Sequence, residues 1–351
     1  MLHEQNHRLR SLLFKSKHCH QLLARIRGIP DSAEEMQKSK LYNSLWYYSA
    51  ELAPGLIKRG IYPDTLPMLP RMLLRNCDLT GADCLDIGSV EGLIPILMRK
   101  QGARSVMATD HSFIYYQNLF ALKAIHRVQF AFSCVGTLYD LSTKLSTGRH
   151  RGFDLINVSG VLYHVLSPLH VLAGVRPLLK QDGLMIVSTN VVNRADYSLE
   201  FNNSGKLQKE ITTYWYFAVP AFDYILRYFQ LMPIDSLYYK HPPDLRIRYG
   251  DLETGYSVPG LETGYLAVVC RAISDRGAQF GDEWLSESIA RSLEYPKLCD
   301  QEMLESQPRS AITYRTDNGP ISLREKLSAS IPIERARHLH DSHLLKLDDT
   351  V

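Results

Sequence analysis

Cys84-Leu85-Asp86-Ile87-Gly88-Ser89-Val90-Glu91-Gly92 is the stretch on which the reading of the whole chain turns. Cys84 to Ile87 is a short apolar run broken by a single acid, the pattern of a buried parallel strand. Gly88 and Gly92 bracket a turn, and Leu93 to Lys100 follows with Leu93, Ile96 and Leu97 on one helical face. Strand, glycine turn and helix together bring backbone close to a nucleotide-like ligand at the carboxyl end of a sheet. Asp110 closes a second apolar run, Ser105 to Thr109. An acid at the end of a second strand can accept both hydrogen bonds of a ribose diol.

Positions 88–92 read G-S-V-E-G, which is not the dinucleotide fingerprint. Val90 stands where a pyrophosphate site needs a glycine for close approach. A ligand with ribose and adenine but no pyrophosphate fits better, and S-adenosylmethionine (SAM) is the common one. The pattern D-x-G-x-x-x-G with a downstream Asp resembles the SAM-binding loop of class I methyltransferases. A bare Rossmann-like turn that binds nothing is the alternative.

Working outward, the alternation continues. Ser112 to Ile125 has helical spacing, and Val128 to Val135 reads as a third strand followed by Gly136-Thr137-Leu138. Phe153 to Val158 is a fourth strand that delivers Ser159-Gly160-Val161-Leu162-Tyr163-His164 to the sheet's carboxyl edge. Pro168 starts a helix, where its ring is well placed. Gln181-Asp182-Gly183 reads as a turn into a fifth strand, Leu184 to Thr189. Tyr214 to Pro220 is an aromatic run ahead of a helix from about Ala221 to Phe229, and Ile234 to Tyr239 and Tyr265 to Cys270 complete seven strands. The economical fold is α/β, a doubly wound, Rossmann-like, mostly parallel sheet. Leu252-Glu253-Thr254-Gly255-Tyr256 recurs as Leu261-Glu262-Thr263-Gly264-Tyr265, too short for a structural repeat.

The ends are of different character, and three regions are expected: 1–65 as a helical extension or lid, 66–271 as the SAM-binding domain, and 272–351 as a polar, partly helical or disordered extension. Met1 to Gly28 sets six Lys and Arg residues against Glu4 and has a helix-like apolar face. It reads as a docking helix or as an arm that contacts RNA phosphates. Ser32 or Asp31 can cap the next helix. Leu41 to Leu52 is rich in aromatics, read either as a lid or as packing of Trp46 and Tyr47 on the first sheet helix. Beyond Ala272, Trp284 to Leu293 reads as one helix. Ile321 to Leu347 carries Arg335, Arg337, His338, His340 and His343, read as a solvated tail or as phosphate contacts.

Composition narrows the classes. The 351 residues are 22% charged and 45% hydrophobic, as in ordinary globular proteins, and a net charge of +3 does not itself argue for nucleic acid. Six scattered cysteines with no C-x-x-C pair suit reduced thiols in a cytoplasmic protein, and no metal-ligand spacing is present. No apolar run is long enough to span a membrane.

Gly160-Val161-Leu162-Tyr163-His164, then Ser167-Pro168-Leu169 and Gly183 to Val187, closely resembles the G-V-L-Y-H-x-x-S-P-L stretch of the tRNA wobble-uridine carboxymethyltransferase-like group of class I methyltransferases. The Tyr214 to Pro220 run is similar to that group's segment before its next helix. Glu51 to Gly55 and Leu85 to Gly92 look more like its uncharacterised bacterial relatives. The resemblance covers roughly Trp46 to Arg271. It implies that Asp86, Gly88, Ser89 and Gly92 line the methionine and ribose side of the cofactor, that Asp110 meets the ribose, that Thr137 and Leu138 flank adenine, and that Tyr163 stands at the donor end. In carboxymethyl-transferring members this tyrosine works with a lysine and an arginine that have no clear counterpart here. Plain SAM is therefore the expected cofactor, with carboxy-SAM left open.

Tyr163 and His164 are the catalytic candidates: an imidazole titrates near neutrality and is a suitable base for a weakly nucleophilic acceptor. The alternative for His164 is a structural bond that orients its loop. Asn190 and Asn193 are acceptor contacts or turn residues. Three functions follow in order. The first is methyl transfer to a small molecule or metabolite, held in an apolar pocket built by Leu41–Tyr48 and Tyr214–Phe217. The second is transfer to tRNA, and the third is a non-catalytic scaffold on the same fold.

Overall fold

The computed structural model describes residues 29–30, 32–62, 65–111, 115–135, 152–202, 212–242, 246–249, 252–255, 261–273, 306–327 and 344–347. Met1 to Gly28, Thr137, Leu138, the Trp284–Leu293 helix and the Arg335–His343 group lie outside them.

In chain order, α1 (Ala33–Lys38) is capped by Ser32, whose side chain accepts the Glu35 amide. The hairpin β1 (Ala50–Ala53) and β2 (Leu56–Lys58) turns at Gly55, where φ is +74°. Among the described residues the amino-terminal extension is thus one short helix and a hairpin. After α2 (Thr65–Leu74) and the two-residue β3 (Cys77–Asp78) come β4 (Asp83–Ile87), α3 (Leu93–Lys100), β5 (Ser105–Asp110), α4 (Tyr116–Ile125) and β6 (Ala131–Cys134). The second half runs β7 (Phe153–Ser159), a 3-10 turn at Leu162–His164, α5 (Pro168–Val175), β8 (Leu179–Val192), β9 (Leu199–Phe201), β10 (Trp215–Ala218), α6 (Val219–Tyr228) and β11 (Leu231–Lys240). The hairpin β12 (Arg246–Tyr249) and β13 (Leu252–Gly255), β14 (Thr263–Ala272), β15 (Thr313–Tyr314) and α7 (Leu323–Lys326) follow.

The main sheet has the order β11-β14-β8-β7-β4-β5-β6, with β10 beside β8 and β9 beside β10. Strands β4 to β8 pair in parallel, and β14 inserts antiparallel between β8 and β11. The chain builds outward from β4 through β5 to β6, then returns to lay β7 on the other side of β4. That reversal makes the crevice between the ends of β4 and β7 the topological switch point, where open α/β sheets bind ligands.

Both faces of the sheet are covered, and side chains alternate between them with period two. Cys84, Leu184, Ile186, Ala267 and Val269 pack with Leu69 and Leu73 of α2, Ile96 of α3 and Leu122 of α4. Leu85, Met185, Val187, Leu266 and Val268 pack on the opposite side with Leu172 of α5, Phe222 and Leu226 of α6 and Leu323 of α7.

Three details differ from expectation. Gln181-Asp182-Gly183 lies inside β8: the β7–β8 register slips between Phe153 and Leu155, Asp182 takes φ +58°, and Gln181 bonds to Pro308 and Ser310. The turn is a bulge because a later segment supplies the missing backbone partners. Tyr214 to Pro220 is more than a lead-in, since it contains β10 and α6 begins at Val219. Parts of the polar extension also fold onto the domain. Ile312, Tyr314, Leu323, Leu344 and Leu345 are buried, and β15 pairs with β3. Among the described residues Cys77, Cys84, Cys134 and Cys270 are in no disulfide, and no helix is long and apolar enough to cross a membrane.

Candidate cofactor and acceptor site

The turn after β4 is held open by backbone chemistry. Gly88 and Gly92 have φ of +78° and +80°, and Val90, a β-branched residue, is forced to +48°, a conformation that stores strain. Amides of Gly88 and Ser89 donate to the Thr109 carbonyl at 2.9 and 3.0 Å, tying the turn to the end of β5. A Cβ on Gly88 would stand 2.7 Å from Cγ2 of Val161, so the turn also presses on the loop that follows β7.

Two acids flank this turn. Asp86 is buried, and its Oδ1 accepts from the Asn157 amide at 2.7 Å, while Oδ2 is buried without a hydrogen-bond partner. Burial pushes its carboxyl up to about 6, against the pull of Ser89 and Asn157. Asp110 accepts the Val90 amide on Oδ2 at 2.8 Å, and its Oδ1 lies 3.3 Å from Nδ1 of His111. An acid with one unmet buried oxygen beside a second acid suits a ligand that carries an ammonium group and a diol. The same pair opposes a pyrophosphate. The residues present fit SAM.

Across the crevice, hydroxyls converge on Gly160, which has φ +72°. A Cβ there would lie 3.4 Å from the Tyr163 hydroxyl and 3.6 Å from that of Tyr265. Tyr265, on β14, shares a 2.7 Å hydrogen bond with Ser188 of β8 and is also bonded to Tyr163. Tyr163 is buried, and its carbonyl accepts the Tyr214 amide at 2.7 Å. His164 Nδ1 lies 2.8 Å from the Thr212 carbonyl, which can only accept, so this nitrogen carries the proton and Nε2 is the basic one. The structural bond foreseen for His164 is present.

The aromatic segments divide. Trp46 is buried and donates to the Leu41 carbonyl, as simple packing requires. Tyr47 stacks on Tyr62 with centroids 4.5 Å apart and meets Tyr115 edge-on at 5.2 Å. Tyr216 and Phe217 are core residues, which leaves Tyr214 and Trp215 half-buried beside exposed Phe201 and Leu166. The pocket expected from Tyr214–Phe217 therefore narrows to its first two residues. Asn193 is engaged by Glu262 at 2.8 Å and is a loop-fastening residue. Thr137 and Leu138 fall outside the described residues.

Glu91, Asn157 and Tyr265 were not singled out in the sequence, and each carries a readable signal. Asn157 is the only polar residue in the apolar run Leu155 to Val158, Tyr265 ends the second L-E-T-G-Y copy, and Glu91 is an acid set between Val90 and Gly92 ahead of a helix. In the structure Glu91 is fully buried. Its Oε1 accepts the Tyr47 amide at 2.5 Å and its Oε2 the Tyr48 amide at 2.7 Å, with the Asn118 amide at 3.2 Å. Burial pushes its carboxyl up to about 7 against those three donors.

A family model described as a methyltransferase domain matches residues 64–238. The tRNA U34 carboxymethyltransferase of Dichelobacter nodosus is 30% identical over 123 residues, covering 35% of this chain and 37% of that protein. Its counterpart in Pseudomonas paraeruginosa is 33% identical over 117 residues, covering 33% and 35%. The match therefore spans little more than a third of these relatives' length. Among solved structures, the N-terminal domain of EvdMO1 with SAH bound has a TM-score of 0.48 at 15% identity, covering 70% of this chain and 99% of that one. With its switch-point sheet, its acidic glycine turn and the matching domain model, the chain belongs to the class I SAM-dependent methyltransferases. SAM is the cofactor of that class.

Proposed function

We propose that the chain transfers a methyl group from SAM to a small molecule or metabolite that enters at the Tyr163–His164 edge of the sheet. The observation that carries this reading is the meeting of two unlike groups on one crevice: the acid Asp86 with its unmet oxygen, and the buried hydroxyl cluster of Tyr163, Tyr265 and Ser188. Residues 66–271 would form the SAM-binding unit, with 1–65 and 272–351 as extensions, in a cytoplasmic protein.

In this reading Asp86 and the Gly88, Ser89 and Gly92 backbone hold the methionine and ribose side. Asp110 takes the diol on the lone pairs that the Val90 amide leaves, Thr137 and Leu138 flank adenine, and Tyr163 faces the donor end. When bound, SAM supplies an electrophilic methyl on a sulfonium with a good leaving group. The chain's own task is then to hold donor and acceptor in near-attack geometry in a site shielded from water, an effect worth several kcal/mol. For a hydroxyl acceptor, His164 Nε2 takes the proton, with the Thr212 carbonyl fixing the tautomer. Exposed Phe201 and Leu166 beside Trp215 favour an acceptor with an apolar part.

A second reading, transfer to tRNA, is favoured by the names of the matched relatives. It would use the basic amino-terminal segment as a phosphate track, so tRNA binding should weaken steeply with salt. Calorimetric titration with SAM and, separately, carboxy-SAM decides first. SAM binding that is lost in Asp110→Ala is the expected result. Preference for carboxy-SAM would put the tRNA reading ahead, and binding of neither would overturn both in favour of a non-catalytic scaffold.

A further inference from the structure

We propose that Glu91 is a positioning residue that ties the Gly88–Gly92 turn to the Tyr47–Tyr48 backbone, so that holding the cofactor and holding that segment against the site become one event. This rests on the SAM-binding reading above. Glu91 sits inside the turn itself, next to Gly92, yet both its oxygens point away from the turn's own amides and take two consecutive amides from a segment more than forty residues earlier. Asn118 of α4 closes the joint. Its Nδ2 reaches both Glu91 and the Leu45 carbonyl, at 3.2 and 2.7 Å, and its Oδ1 faces the Ser44 hydroxyl at 3.4 Å. Turn, segment and helix therefore share one buried carboxylate.

What the joint presents to the site is the reason to assign it more than packing. Tyr48 is half-buried, and its phenol lies within electrostatic reach of Asp110 on the ribose side and Tyr265 on the acceptor side, with Arg71 also near. Tyr47 packs between Tyr62 and Tyr115, and Tyr115 lies just past Asp110 in the chain. A turn that shifts on losing its ligand moves Glu91, and with it the two amides that set where Tyr48 stands. Because coupling between two sites is reciprocal, a ligand that settles the turn must also settle Tyr47 and Tyr48.

That reciprocity supplies the test. Hydrogen exchange of the peptide containing the Tyr47 and Tyr48 amides is measured with and without S-adenosylhomocysteine, alongside the dissociation rate of that ligand, in the natural chain, Glu91→Gln and Glu91→Ala. In the natural chain the ligand should slow exchange there by about tenfold, within the usual span of such coupling. Glu91→Ala should abolish the slowing and speed dissociation by a similar factor, and Glu91→Gln, which keeps one acceptor, should restore part of both. A joint that only packs would lower the melting temperature and leave ligand-dependent protection and dissociation unchanged, and that result overturns the proposal. If Glu91→Ala does not fold, the same two readouts in Glu91→Gln decide: values equal to the natural chain's overturn it. Should the natural chain itself bind no S-adenosylhomocysteine, the cofactor reading and this inference fall together. Binding without coupling removes only the inference.

Discussion

At Gly88 the backbone adopts φ +78°, and any Cβ would meet Val161 at 2.7 Å. Left-handed strain and overpacking each cost about 1–3 kcal/mol, so Gly88→Ala should lose several kcal/mol of stability by urea titration. Adding Val161→Ala should recover the packing part and leave the backbone part. The two buried acids set a pH dependence. Asp86 rises from 3.8 to about 6 and Glu91 from 4.5 to about 7 in the folded chain. An acid raised by folding gives its full support below its unfolded value and loses it as pH climbs through the folded one. The contribution of this pair should therefore fade between about pH 4 and 7. The melting temperature of Glu91→Gln relative to the natural chain should rise between about pH 4.5 and 7, the window between the unfolded and folded values of Glu91, and level off above it; a flat difference across that window would contradict the shift. The places of Asp86, Gly88, Gly92 and Asp110 at the strand ends and the turn could be read from spacing, because a strand–turn–helix leaves few choices for its hinge residues. Glu91 was not. Its partners are backbone amides of Tyr47 and Tyr48, which no side-chain pattern announces.

Strands β14 and β11 show what a single missing atom does to a whole element. Gly264 pairs opposite Lys240, and a Cβ there would sit 2.3–2.6 Å from the Tyr238 ring. Gly264→Ala should push Tyr238 off its seat and cost about 1–3 kcal/mol, visible as a lower melting temperature. The neighbouring residue offers a functional comparison. Tyr265→Phe removes the hydroxyl that bonds Ser188 and Tyr163, and should lower methyl-transfer turnover more than it lowers cofactor affinity, measured once an acceptor is found. Seven strands and their order of appearance could be read from alternating apolar runs and turn residues. Leu93–Lys100 came out with the bounds it was expected to have. The bulge at Asp182 and the strand β10 were hidden for one reason: each depends on a partner remote in sequence. Pro308 and Ser310 complete the first, and Val191 and Val192 of β8 the second.

Over the whole molecule, the extension beyond Ala272 behaves as part of the domain wherever it is described. Ser310 bonds Asp154, Tyr314 bonds Asp235, and Leu344 and Leu345 are buried. A polar average concealed these short apolar pairs, since composition over eighty residues dilutes two leucines. Leu345→Ala should cost about 2–5 kcal/mol in urea, and ending the chain at His343 should cost at least as much. The last described residues reach far back: the Leu347 amide donates to Oε2 of Glu51 at 2.7 Å, and Lys100 Nζ holds the Lys346 and Leu347 carbonyls at 2.9 and 3.0 Å. Glu51 and Leu347 are 296 positions apart. At the pace of a ribosome, about 5–20 residues per second, the β1–β2 hairpin waits about 15–60 s after its own synthesis for the piece that seals it. During that interval a nascent chain has its cofactor turn made and its front door unbolted, which is when holdase chaperones would find it.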